Sequence, residues 1–102
     1  PTTGETNLAQ MYFAQAVTIT RVVCRVAAAT SVTIQLDERA EATPNTAGTD
    51  VMTSTLVCDT DSQATTSFTN ASIALRVPLN LQITATSGTP GAVSVHVEYT
   101  VN

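Results

Sequence analysis

The chain has 102 residues, the size of one domain with no room for a second. Charged residues make up 12% of it, against roughly 25% in a typical soluble domain. Four Arg are the only Lys or Arg residues and the net charge is −4, so the chain cannot lay down the basic stripe that nucleic acid requires. An anionic membrane surface is disfavoured for the same reason, and no apolar run approaches the roughly 20 residues of a spanning helix.

Threonine takes the place of the missing charge, with 20 residues, and Lys is absent. Threonine is β-branched and stiff at χ1, which suits a pleated surface better than a helix. Residues 1–7 read as a flexible polar arm hinged at Gly4, and residues 8–102 as a single β-sandwich domain. The arm lacks the basic-then-apolar order of a signal peptide. Pro1 fits removal of an initiator Met, or excision from a longer polypeptide.

Residues 8–13 form a short apolar-rich segment, expected as a strand. Residues 17–26 are a strand with a change of phase. Val17 and Ile19 lead the first half and Val22, Cys24 and Val26 the second, which predicts a bulge near Thr20 and Arg21. Residues 31–39 alternate, with Val32, Ile34 and Leu36 predicted inward and Thr33, Gln35 and Asp37 outward. Residues 41–50 are the longest loop, where Pro44 sets a turn and Gly48 permits a positive φ.

Residues 51–58 read as one strand carrying Met52, Ser54, Leu56 and Cys58 on a shared face. After a turn, short strands are predicted at 64–69 and 73–77. The segment 79–86 alternates through Leu79, Leu81, Ile83 and Ala85, and residues 87–91 read as a hairpin loop. The strongest pattern comes last, with Val93, Val95, Val97, Tyr99 and Val101 on one face. About eight strands spaced in this way predict an all-β antiparallel sandwich, jelly-roll-like, with an immunoglobulin-like order as the alternative.

Chemistry is sparse. His96, the single histidine, falls on the polar phase of the last strand and is expected to point outward rather than serve as a base or ligand. Cys24 and Cys58 both fall on inward phases. They have the spacing to pair across the sandwich or to remain buried thiols, and with no export signal the reduced form is expected. The turn Asp59-Thr60-Asp61-Ser62 and the acids Asp37, Glu38, Glu41 and Asp50 lack the Gly-centred spacing of a calcium loop. The sequon at Asn70 is a chance-level match. With no nucleophile–base pair and no metal set in the pattern, the chain reads as non-enzymatic, without cofactor or metal.

Several stretches carry a resemblance: residues 18–22 (Thr-Ile-Thr-Arg-Val), Asp37-Glu38-Arg39, residues 43–50 (Thr-Pro-Asn-Thr-Ala-Gly-Thr-Asp), and residues 87–91 (Ser-Gly-Thr-Pro-Gly) leading into the last strand. From about Ala16 to the C-terminus the chain resembles small β-sandwich virion proteins of tailed bacteriophages. Such proteins are head decoration (cement) proteins, head fibres or small tail components. The resemblance implies a structural role in a virion assembled in the host cytoplasm, self-association (a trimer favoured) and binding to a major capsid or other virion protein. The alternative it leaves is a receptor- or carbohydrate-binding module of a fibre or tail. It carries no binding residues with it. On flexibility and exposure alone, the expected contact residues are Thr2, Thr3, Glu5, Thr6, Asn7 and Leu8 of the arm, and Pro44, Asn45 and Thr46 of the long loop.

Overall fold

The structure, a computed structural model, describes residues 3–5, 9–27 and 30–102. Within them the chain forms β1 (Ala9–Met11), β2 (Val17–Val26), β3 (Ser31–Glu38), β4 (Thr49–Asp50), β5 (Leu56–Cys58), β6 (Gln63–Thr65), β7 (Ser72–Ile73), β8 (Leu79–Ser87) and β9 (Val93–Val101). All pairings are antiparallel. One sheet runs β1-β8-β3, with β4 and β5 sharing the outer edge of β3. The other runs β9-β2, with β6 and β7 sharing the far edge of β2.

One set of pairings is nested, β1 with β8, β2 with β7 and β6, β3 with β5 and β4, while β3–β8 and β2–β9 join strands side by side within each sheet. A chain folded back on itself as a ribbon and then rolled into two sheets has this order, which is that of a jelly roll. In an immunoglobulin-like order the first two strands are neighbours in one sheet. Here β1 and β2 lie in different sheets.

Sequence periodicity places the core. Val17, Ile19, Val22, Cys24 and Val26 of β2 face Val32, Ile34 and Leu36 of β3 and Leu79, Leu81 and Ile83 of β8, all buried. The phase change in β2 is a bulge: the register against β9 shifts between Ile19 and Arg21, as the pattern predicts. Each fully buried Val, Ile or Leu contributes roughly 1.5–3 kcal/mol over its exposed state.

Four expectations need correction. Residues 51–58 are not one strand. β4 and β5 are separated by residues 51–55, where Met52 forms an isolated bridge to Phe68 in the opposite layer. Gln35 and Asp37 are buried rather than outward to solvent, because chain segments fold over them and supply polar partners. The segment 87–91 is not a hairpin loop, since β8 and β9 lie in different sheets and the loop crosses between them. Cys24 and Cys58 are not thiols: they form a disulfide, with Cα atoms 5.5 Å apart. The register of β3 on β5 sets Cys58 beside Val32, facing the other sheet where Cys24 waits on β2.

Candidate protein-binding surface

Residues 40–48 do not hang free. Asp37 lies under them, fully buried, as the hub of a polar cluster. Its Oδ2 accepts from Arg39 Nε at 2.8 Å and from the Gly48 amide at 2.9 Å, and its Oδ1 accepts from Asn80 Nδ2 at 2.9 Å. Burial alone would raise the Asp37 pKa. Hydrogen bonds from Gln82, Gly48, Asn80 and Arg39 outweigh it and hold the carboxyl below its ordinary 3.8. Arg39 also donates through Nη1 to the Pro44 carbonyl, which accepts a second bond from Gln10 Nε2 on β1 at 2.7 Å.

Gly48 does not take a positive φ; among the described glycines only Gly4 and Gly88 do. Its requirement is steric, because a Cβ there would fall inside contact distance of the Glu38 carbonyl. The loop is therefore a strap fastened over the outer face of the first sheet. Pro44 is half-buried by its anchors, and Asn45 and Thr46 are exposed at its tip.

The arm residues divide. Thr2, Thr6, Asn7 and Leu8 lie outside the described residues. Thr3 and Glu5 lie against β8 rather than away from the sandwich. The Gly4 amide donates to the Ile83 carbonyl at 3.0 Å, the Ile83 amide donates to the Glu5 carbonyl at 2.8 Å, and the Thr3 and Thr86 hydroxyls are 2.7 Å apart. Of the described residues expected to act as contacts, Thr3, Glu5 and Pro44 are thus tied to the first sheet, while Asn45 and Thr46 stay exposed.

The other singled-out residues have local roles. His96 points outward from β9, well exposed, 3.6 Å from Glu98. Asp59 closes its own turn, accepting from the Asp61 amide and from Gln63 Nε2. Asn70 donates to Glu38 Oε1 at 2.9 Å. Among the described residues, no group of three His, Cys, Asp or Glu is placed to hold a metal ion.

The two flanks of the sandwich differ. On the β4/β5–β6/β7 flank the sheets are laced together by the disulfide, by the Met52–Phe68 bridge, and by backbone bonds from Thr53 to Ser67 and from Thr69 and Asn70 to Val51. On the β1–β9 flank nothing comparable joins them among the described residues. An apolar groove of about 140 Å³ opens there, lined by Met11 of β1, Leu36, Leu79 and Leu81 below, and Val95 and Val97 of β9. A second hollow, beside Phe13, Tyr99 and Val101, continues the flank. Phe13 is buried and its ring packs edge-on against Tyr99 with centroids 4.8 Å apart.

Of the six large apolar side chains that remain exposed among the described residues, four belong to this flank, Met11 at 42%, Tyr12 at 57%, Tyr99 at 46% and Val101 at 56%; the other two are Val57 on β5 and Leu75 after β7. Singly exposed apolar residues are normal, but four of them beside an apolar groove make this flank the candidate interaction surface. Sequence reasoning about contacts passed over it. The signal was nonetheless present in β9, which has nine residues of strict alternation and neither the Lys nor the Pro with which natural edge strands are guarded. The chain matches no family model, no curated protein and no solved structure.

Proposed function

We propose that the protein is a non-enzymatic structural component of a phage virion, a capsid decoration (cement) protein that binds neighbouring subunits through its β1–β9 flank. One observation carries the binding role: the exposed apolar side chains of Met11, Tyr12, Tyr99 and Val101 beside an apolar groove, on a chain with little surface charge. The virion setting rests on the resemblance described above. The disulfide is compatible with it, since disulfides persist on virion surfaces once particles leave the reducing cytoplasm. Homo-oligomer formation, a trimer favoured, is part of the same reading.

The test is deletion of the gene from the phage that encodes it. Particles should still assemble, rupture at lower temperature than the parent, and regain stability when purified protein is added back. Equal rupture temperatures, or the protein's absence from purified parental particles, would overturn the proposal.

A second reading has a specific observation in its favour. Tyr12, next to the buried Phe13 in the chain, and Tyr99, packed edge-on against the Phe13 ring, are both exposed, and sugars stack on exposed aromatics. A carbohydrate-binding fibre module would show saturable glycan binding that Tyr12→Ala and Tyr99→Ala each weaken.

A further inference from the structure

The nested pairing leaves one strand over. β1, β2 and β3 each find a ribbon partner in β8, β7 and β6, or β5 and β4; β9 does not, and its outer edge has no partner strand among the described residues. The sheets are correspondingly unequal. Counted across, the first has four positions (β1, β8, β3, β4/β5) and the second three (β9, β2, β6/β7). The lacing described above fixes β6/β7 over β4/β5. β9, the last position of the shorter sheet, sets Val95 and Val97 on the groove opposite Leu36, Leu79, Leu81 and Met11, and no strand of the second sheet continues beyond it over β1 among the described residues. The vacant position is bounded by the β9 edge on one side and floored by β1, and the apolar groove lies in it.

Taking from the proposed function only that this flank binds a protein chain, we propose that the vacancy is an acceptor slot for one extended segment of another protein. The segment pairs antiparallel with β9, fills the eighth position across the two sheets and carries apolar side chains at every second residue.

Its chemistry follows from its surroundings. The inward row of the added strand meets Met11, Leu81, Val95 and Val97, so it must be apolar; its other row faces solvent beside Ser94, His96 and Glu98. The groove's 140 Å³ is comparable with the roughly 150 Å³ apolar cavity that admits a benzene-sized guest, so it has room for apolar side chains. Val93, Val95 and Val97 are only half-buried although their alternation is that of core residues, as expected of a row missing one neighbour. β9 is continuous, since the bulge in this pair belongs to β2, and a flat unguarded edge is a template for strand addition.

Two other occupants fit less well. A second copy brought edge-on to β9 meets β1 first. β1 stands one strand spacing, about 4.8 Å, beyond β9, where the copy's own first sheet would have to lie. The chain's own arm is polar by sequence, and its Gly4 and Glu5 are already paired to Ile83 in the floor.

The experiment uses the purified protein and a synthetic peptide, acetyl-Thr-Val-Thr-Val-Thr-Ile-Thr-amide, with amide exchange followed residue by residue. Saturating peptide should slow exchange of the outward-facing β9 amides about tenfold and leave β4 and β7 unchanged. A peptide of the same composition with its apolar residues consecutive, and one N-methylated at alternate amides, should have no effect. The proposal fails if no alternating peptide protects β9, or if the scrambled and N-methylated peptides protect it equally. Protection of β9 in the protein alone, rising with its concentration, would replace the slot with an interface between copies. A virion whose stability depends on the protein while β9 ignores peptide would sink the slot and leave the proposed function standing.

Discussion

Cys24 on β2 is bonded to Cys58 on β5, and this cross-link closes the flank of the sandwich opposite the open one. The two strands belong to different sheets, so the bond fixes the spacing of the layers as well as a loop in the sequence.

A 34-residue separation sets the size of its effect. Removing loop-closure entropy from the unfolded chain stabilises the fold by about 3–4 kcal/mol in the chain-entropy model. Replacing both cysteines with Ser should therefore lower the stability extracted from denaturant titration by about that amount. Intact mass after alkylation in denaturant should show no added groups without reductant and two with it.

Asp37 ties stability to acid. Its carboxyl is held below 3.8 in the folded protein, so folding favours the charged form. The resulting stability is fully present above the unfolded value and is lost as pH falls through the lower folded value. Thermal midpoints should stay level on this account from neutral pH to about 4 and drop below it. Asp37→Asn should flatten that acid limb. Asp37→Ala should cost about 3–5 kcal/mol, because it strips the carboxylate from the buried Arg39 guanidinium 2.8 Å away.

Gly48 tests the strap. With a Cβ directed at the Glu38 carbonyl, Gly48→Ala should destabilise by about 1–3 kcal/mol as backbone shifts to relieve the overlap. Ala47→Gly, next to it in an exposed position, should cost far less, so the contrast isolates the close approach from general loop flexibility. Thermal melts of the two variants decide it.

What the sequence made legible follows from how local its signals are. The bulge in β2 was readable because Val17 and Ile19 fall out of phase with Val22, Cys24 and Val26 within one strand. β8 and β9 were readable from alternation alone. The split between β4 and β5 was not: alternation through Met52 and Leu56 continues while the chain leaves β3 to bridge Phe68. Gln35 and Asp37 sit on the polar phase of β3, as the pattern says, yet the segments covering them come from residues 48 and 52. Polar phase names a face of the sheet and does not say whether that face meets water. The open flank escaped the sequence for a related reason. Flexibility and polarity pointed to the arm and loop, whereas the open flank is created by which strands pair, a long-range property that no window of the sequence contains.

The arm gives the last prediction, and the structure reverses its sign relative to a free terminus. A dangling segment can be removed without effect. Here Gly4 and Glu5 exchange two backbone hydrogen bonds with Ile83, and Thr3 adds a hydroxyl contact with Thr86. Each hydrogen bond has a net worth of about 0.5–1.5 kcal/mol, set against roughly 1–2 kcal/mol of backbone entropy per ordered residue. The balance is small, but removal also opens the β8 edge at Ile83. Deleting residues 1–5 should therefore lower the thermal midpoint measurably, by about 1–2 kcal/mol in stability, and speed exchange of the Ile83 amide. Gly4 has a φ of 87° with open space around it, so Gly4→Ala probes the same docking through backbone strain without steric overlap. It should reproduce part of the loss, near 1 kcal/mol. If the truncated protein melts with the full-length chain and Ile83 exchanges at the same rate, the arm is not docked in solution.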